Sequence, residues 1–106
     1  MTLWHQITDA QREAFVAEIV SALPASDIPH HLRAGLVRYF SDGILPSGFL
    51  QAVLCNDLAE ALMRCIGDVR MLVPLVVFLN NAAPAFAWGS REKVLAWTTT
   101  PDRLEI

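Results

Sequence analysis

Residues 71–79 read MLVPLVVFL, the most apolar run in the chain, and this stretch decides the fold. Its valines and its phenylalanine also favour a buried β-strand, so helix and strand compete here. Pro74 cannot donate a ladder hydrogen bond, which argues against a central strand and favours a helix. Residues 72–79 are apolar on nearly every side, as is typical of the central helix of a small bundle. A run of nine residues is too short to cross a membrane, which needs about twenty.

On either side of this stretch, short breaks at proline or glycine divide the chain, and no linker is long enough to separate domains. We therefore predict an all-α protein: a single compact bundle of about five short helices within residues 1–106. The predicted segments are 9–23, 29–41, 47–66, 68–81 and 90–98, followed by a loose tail at 99–106. The third is either two short helices in tandem or one helix bent at Asn56. The fourth either begins near Val73 or kinks at Pro74.

Residues with capping preferences mark the ends of these helices. Thr8 and Gln11 have the spacing of a capping box, which pairs two otherwise unpaired backbone donors. Gly43 stands where a left-handed C-cap belongs, and Asp68 is placed to cap the fourth helix. Gly35 lies inside the second helix at a cost of about 1 kcal/mol relative to Ala, which a close helix–helix approach would explain.

Apolar residues at helical spacing predict the core. The predicted buried residues include Leu32, Leu36, Tyr39 and Phe40 in the second helix, Leu58, Ala61, Leu62 and Ile66 in the third segment, and Trp97 in the last. Trp4 is interpreted as a lid at the amino-terminal end.

The composition excludes some classes of protein. Hydrophobic residues make up 54% of the chain and charged residues 18%, the reverse of a disordered protein. The expected folded surface is roughly 5,900 Å², against roughly 17,000 Å² for the open chain, which allows one modest core. The high apolar fraction also leaves apolar surface for a partner. The net charge of −3 comes with no cluster of cations, which argues against a grip on a phosphate backbone.

The cysteines and the first residues bear on the compartment. Cys55 and Cys65 would stand about 15 Å apart on a continuous helix, too far for a disulfide, although a break between them would bring them closer. We interpret both as small buried hydrophobes in a reducing compartment. Residues 1–6 lack the basic and apolar regions of a signal peptide, so we expect a cytoplasmic protein.

No pattern in the sequence indicates catalysis or a cofactor. His5, His30 and His31 do not form ligand pairs with the cysteines at the spacing of a zinc site, so we predict no metal. Ser47 precedes a glycine but lacks the strand–turn–helix context of a nucleophile elbow. We therefore predict a non-enzymatic protein without cofactors. A helix-turn-helix reading is also disfavoured, because the helix after the tight connection offers apolar residues at 49–53 rather than basic ones.

The most unusual local cluster is residues 80–90, NNAAPAFAWGS, which places two amides and two aromatic rings around a loop. Aromatic residues in loops are frequent binding anchors. The alternative is that Phe86 and Trp88 fold back as a lid on the core while the asparagines cap the end of the preceding helix.

The chain also resembles a family of short proteins of phages, prophages and related mobile elements. The resemblance is carried by the following matches in order: IPHH at 28–31, GLVRY at 35–39, GI at 43–44, PSGFL at 46–50, AVL at 52–54, NDL at 56–58, EA at 60–61, FL at 78–79 with Asn81, AP at 83–84, and WGS at 88–90 with EKV at 92–94 and Trp97. It covers residues 28–97 and leaves out the amino-terminal helix at 8–23. Residues 67–77 are less polar than the family pattern, so their helix is expected to be more buried or to face a partner.

The resemblance implies a small accessory protein of a mobile element that binds a host protein complex. By analogy of context, an anti-CRISPR inhibitor acting by protein–protein contact is the most concrete form. The alternatives are a small helical nucleic-acid-binding regulator, which the charge disfavours, and a homodimeric structural or assembly protein of the phage. The candidate partner-binding residues are Arg38, Tyr39, Asn81, Trp88 and Arg91.

Overall fold

Six α-helices make up most of the computed structural model, which describes residues 4–65 and 69–106. They are α1 (Asp9–Ala22), α2 (His30–Asp42), α3 (Gly48–Leu54), α4 (Leu58–Arg64), α5 (Leu72–Ala82) and α6 (Arg91–Trp97). Single 3₁₀ turns lie at Trp4–Gln6, Leu23–Ala25, Val69–Met71 and Pro101–Arg103. These ranges contain no β-strand, so the all-α prediction is confirmed.

The predicted caps fix the ends of α1 and α2. Thr8 and Gln11 form the capping box, each side chain accepting from the other's backbone N–H. Pro29 is the N-cap of α2 and not its first helical residue, one position from where we expected it. Gly43 closes α2 with φ of 70°, and its N–H donates to the Tyr39 carbonyl. Because an L side chain rarely adopts this backbone conformation, glycine is strongly favoured at this end of α2.

The third predicted segment is two helices in tandem. Asn56 has φ of 58°, a left-handed conformation that ends α3 and turns the chain. Asp57 then caps α4, because its carboxylate accepts from the Glu60 N–H at 3.1 Å. Asparagine tolerates the left-handed region and aspartate is a strong N-cap, so the two residues together separate the helices.

The alternative in which the fourth helix begins near Val73 is confirmed. The helix begins at Leu72, directly after the 3₁₀ turn Val69–Met71, and Pro74 is its third residue. The missing N–H of proline costs nothing there, because N–H groups in the first turn lack an intrahelical acceptor. Three residues of the sequence prediction, Ile66, Gly67 and the expected cap Asp68, lie outside the described residues.

Trp97, the last residue of α6, lies at the centre of the core. Its side chain is fully buried, and its indole Nε1 donates to the Tyr39 carbonyl at 2.9 Å. The rings of Trp4, Phe15 and Phe86 surround it with centroid distances of 4.8, 5.6 and 5.6 Å. The interpretation of Trp97 as a core residue, with Trp4 and Phe86 as lids, is confirmed.

The expectation of a loose tail at 99–106 is wrong. The Thr99 N–H donates to the Gly43 carbonyl at 2.8 Å, and the Glu105 N–H donates to Oε1 of Gln51, also at 2.8 Å. Leu104 and Ile106 pack against the core. The short polar sequence of the tail conceals these bonds, because their acceptors lie more than fifty residues earlier in the chain.

Glycine replacements test the two backbone positions that the sequence singled out. Gly43→Ala is expected to lower the free energy of unfolding by about 2 kcal/mol, since the left-handed conformation alone costs an L residue roughly 1–2 kcal/mol. The new methyl group would also stand 3.0 Å from the Thr99 backbone nitrogen. Urea unfolding followed by circular dichroism measures the change.

Gly35→Ala is the matched control. Its methyl group would meet Leu50 and Pro46 at 3.5 Å, an ordinary contact distance, so the close approach that we predicted leaves room for it. Better helix propensity then makes this variant equal to the parent or more stable by up to about 1 kcal/mol. Equal stabilities of the two variants would contradict this account of Gly43.

Candidate partner-binding surface

Tyr39, one of the five predicted partner-binding residues, is fully buried in α2. Its hydroxyl donates to the Ala87 carbonyl at 2.5 Å, and its ring packs edge-on against Phe40 at 5.0 Å. Burial also raises the pKa of its phenol well above the ordinary value. The prediction that Tyr39 contacts a partner is therefore wrong: this side chain is a hydrogen-bonded part of the core, as its place in the apolar stripe of α2 had indicated.

The other four predicted residues do not form one site. Arg38 is exposed and lines a cleft beside the carboxy-terminal tail, whereas Asn81 lines a separate groove beside the end of α1. Trp88 is half-buried and packs against the core. Arg91 is exposed at the start of α6 and donates to the Ile106 carbonyl. The structure thus leaves no common surface for the set.

The loop at 83–90 is held to the core at several points. Besides the Tyr39 bond to Ala87, the Gly89 N–H donates to the Leu54 carbonyl at 2.7 Å, and Nζ of Lys93 donates to Ala85. These contacts support the alternative in which the aromatics form a lid on the core. The expected capping by the asparagines is not seen at Asn80, because its amide donates to the Val76 carbonyl inside α5, whereas the C-cap is Ala83, whose N–H donates to the Leu79 carbonyl.

An exposed apolar face runs along α5. Val73 and Val77 are 67% and 53% exposed, and Val76 between them is also exposed, so valines at i, i+3 and i+4 face outward. Leu75, Phe78 and Leu79 on the opposite side are buried. The prediction that this helix is covered on all sides is therefore wrong for its valine face. The helices α1 and α3 pack against the opposite face of α5.

The apolar surface continues onto α4. Leu58 is 67% exposed, and Leu62, one turn further on, is exposed as well. Of the predicted stripe in α4, only Ala61 is buried. Leu58 and Val76 line the same narrow cavity of about 50 Å³ between the two helices, so the two exposed faces adjoin. We call this region the α4–α5 surface and define it as Leu58, Leu62, Val73, Val76 and Val77.

The α4–α5 surface is not the result of a loosely packed chain. The accessible surface is 5867 Å², which equals the roughly 5,900 Å² expected for a folded protein of this mass. Contiguous exposed apolar patches on a protein of normal compactness mark interaction sites more often than single exposed side chains do. The sequence feature that indicates this surface is the unbroken apolar run of α5. The run is apolar on its outer face as well as on the face that packs in the core.

Acidic residues border the α4–α5 surface on both sides. A groove of about 370 Å³ separates α5 from the end of α1, with Val73 and Val77 on one wall and Asp27 at its edge. On the α4 side, Asp57 borders the narrow cavity that Leu58 lines. Arg70 lines a further cavity with Val73 and Asp27, so the rim of the surface carries charges of both signs.

Cys55 is a buried free thiol at the end of α3. Burial raises its pKa to about 11, Arg91 opposes that rise, and Asp57 adds to it. Because the thiolate is the reactive form, a raised pKa makes this cysteine a poor nucleophile at neutral pH. Among residues 4–65 and 69–106, no three His, Cys, Asp or Glu side chains gather where they could hold a metal ion. No helix in the same ranges is long and apolar enough to span a bilayer.

No protein-family model, curated protein or solved structure matches the chain. The resemblance to short phage and prophage proteins therefore stays a prediction.

The two buried acids, Cys55 and Tyr39, predict a loss of stability at alkaline pH. Both have a raised pKa in the folded protein, so above pH 9 the unfolded chain releases protons that the folded chain retains. The free energy of unfolding therefore keeps its full value below pH 9 and decreases as the pH rises towards 11. The thiol of Cys55 alone contributes about 2 kcal/mol to this decrease. Urea midpoints at pH 8 and pH 10.5 measure the fall.

Cys55→Ala should reduce the loss of stability between pH 8 and pH 10.5. Cys65→Ala leaves Cys55 in place, so its loss of stability should equal that of the wild type. The comparison uses the difference between the two pH values within each variant, so a general loss of stability from either substitution cancels. An undiminished fall in Cys55→Ala would contradict the assignment to the buried thiol.

Proposed function

We propose that this protein is a small non-enzymatic binding protein of phage or mobile-element origin that docks on a host protein complex through the α4–α5 surface. Its most concrete form is an anti-CRISPR inhibitor that acts by protein–protein contact in the bacterial cytoplasm. The observation that carries the proposal is the row of exposed valines on α5, flanked by the exposed leucines of α4.

Burial of aliphatic side chains supplies the binding energy in this proposal. Removing apolar surface from water contributes about 25 cal/mol per Å², and a stable interface buries roughly 800 Å² on each partner. Val73, Val76 and Val77 stand on a regular helix, and β-branched side chains on a helix hold nearly a single rotamer. They therefore lose little conformational entropy on binding, which favours affinity.

The net charge of the chain, −3, favours a basic partner. Asp27 and Asp57 lie at the rim of the apolar centre, and Arg70 lies beside Asp27 there. CRISPR effector complexes hold their guide–target duplex in a positively charged channel, so they present basic residues of this kind. Electrostatic complementarity of this type raises the association rate and makes binding sensitive to salt.

Co-elution with CRISPR effector complexes, combined with an interference assay in cells, tests the proposal. The wild-type chain should co-elute with one effector and reduce interference. Val77→Asp places a charge in the middle of the surface and should weaken binding at least ~30-fold. Val20→Asp is the matched control, because Val20 on α1 is 48% exposed, close to the 53% of Val77, and lies outside the surface.

The outcomes separate the alternatives. If no effector is bound and interference is unchanged, the anti-CRISPR form is wrong. A dimeric mass by light scattering that Val77→Asp converts to a monomer would show that a second copy covers the surface, and would overturn docking on a host complex in favour of the homodimeric alternative. Equal weakening by Val20→Asp and Val77→Asp would show that the surface is not the binding site.

A further inference from the structure

A cleft lies on a different part of the molecule from the α4–α5 surface. Its volume is about 490 Å³, within the range of small-molecule sites. Four parts of the chain form it: one side of α2, the connection between α2 and α3, Gln51 of α3, and the carboxy-terminal tail. The side chains used below are Gly35, Arg38, Gln51, Arg103 and Glu105.

Gln51 fixes the walls of this cleft. Its side chain is almost completely buried, and its Nε2 donates to the carbonyls of Pro46 at 2.9 Å and Arg103 at 3.1 Å. Its Oε1 accepts from the Glu105 N–H at 2.8 Å. One amide therefore ties the α2–α3 connection to the tail, and the cleft keeps its shape without a ligand, which reduces the entropy lost on binding.

Two arginines line the cleft without protein partners. Neither Arg38 nor Arg103 donates a side-chain hydrogen bond or forms an ion pair with any residue in 4–65 or 69–106. Elsewhere the guanidinium groups of Arg12, Arg33 and Arg64 bond to carboxylates or carbonyls of the chain. The free donors of Arg38 and Arg103 are thus available to a ligand in the cleft.

The one carboxylate in the cleft, on Glu105, has a cation beside it. Its Oε2 lies 2.8 Å from where a Cβ on Gly48 would stand, and the guanidinium of Arg64 lies against the same point. Arg64 forms its ion pair with Glu60 and donates to the backbone carbonyl of Glu105, not to its carboxylate. The cleft is therefore lined by two positive charges and one negative charge, and stays positive. Because the whole chain is negative, an anion is attracted to this cleft more than to the rest of the surface.

We infer that this cleft, the Arg38–Arg103 cleft, binds the phosphate group of a small phosphorylated molecule. A guanidinium presents a planar fork of donors that matches phosphate oxygens, and a phosphate monoester carries enough charge for two such groups. Gly35 contributes no side chain, which leaves the α2 wall open to the ligand. The apolar side chains of Ile44, Leu45 and Pro46 line the remaining wall and suit the uncharged part of the molecule.

Titration calorimetry of the full chain at low ionic strength tests the inference, with inorganic phosphate, AMP and succinate as probes. We expect phosphate and AMP to bind, more weakly as salt is added, and succinate to bind at least ten-fold more weakly than AMP. Tighter binding of AMP than of phosphate would show that the apolar wall contributes to the affinity. Equal affinity for AMP and phosphate would show that the site recognises free phosphate. Both results support the inference.

Arg38→Gln and Arg103→Gln should each weaken AMP binding about ten-fold or more. Each substitution removes the hydrogen bonds that a charged guanidinium would donate to the phosphate oxygens. Both side chains lack protein partners, so the melting temperature of each variant should match that of the wild type. Lys93→Gln removes one positive charge from α6, outside the cleft, and should leave the affinity unchanged.

No heat and no chemical-shift change with millimolar phosphate or AMP would overturn the inference, as would equal binding of succinate. Binding that all three variants weaken equally would show general charge attraction and also overturn it. None of these results depends on whether the α4–α5 surface binds an effector, so the two proposals can fail separately.

Discussion

The indole of Trp97 donates to the Tyr39 carbonyl, and the Tyr39 hydroxyl donates to the Ala87 carbonyl. These two bonds join α2 to α6 and to the loop between α5 and α6, which lie 58 and 48 residues further along the chain. A buried polar group without a partner costs roughly 1–3 kcal/mol, so the core can hold a tryptophan and a tyrosine only while both bonds are made. The aromatic rings around Trp97, from α1, the loop and the amino-terminal turn, then pack on a fixed centre.

This arrangement explains why the two proposed surfaces lie where they do. The chain has one modest core, and α1 and α3 cover only the inner side of α5. The tail, which could have covered the outer side, is instead bound elsewhere by Gln51 and by the Gly43 carbonyl. The valines of α5 therefore stay exposed, and the tail forms one wall of the Arg38–Arg103 cleft.

Local rules were sufficient for several elements and misleading for others. The capping box at Thr8, the left-handed Gly43 and the break at Asn56 were predictable, because each depends on a few neighbouring residues. The burial of Tyr39 also followed from the stripe of α2, but aromatic and arginine residues are so common at interfaces that it was placed among the binding candidates too. The pattern of α5 wrongly places the exposed valines in the core. An apolar run indicates that a helix is apolar on every side, but it does not indicate which side the neighbouring helices cover.

By itself, the sequence determined that the chain is helical, where most helices begin and end, and that Trp97 belongs to the core, because these follow from capping chemistry and the spacing of apolar residues. Only the tertiary structure decided which apolar side chains reach the solvent, where the tail is bound, and which two arginines share a cleft. The physical reason is that these properties depend on pairs of residues distant in sequence, such as Gln51 with Glu105 or Leu58 with Val76, and no local pattern encodes such a pairing.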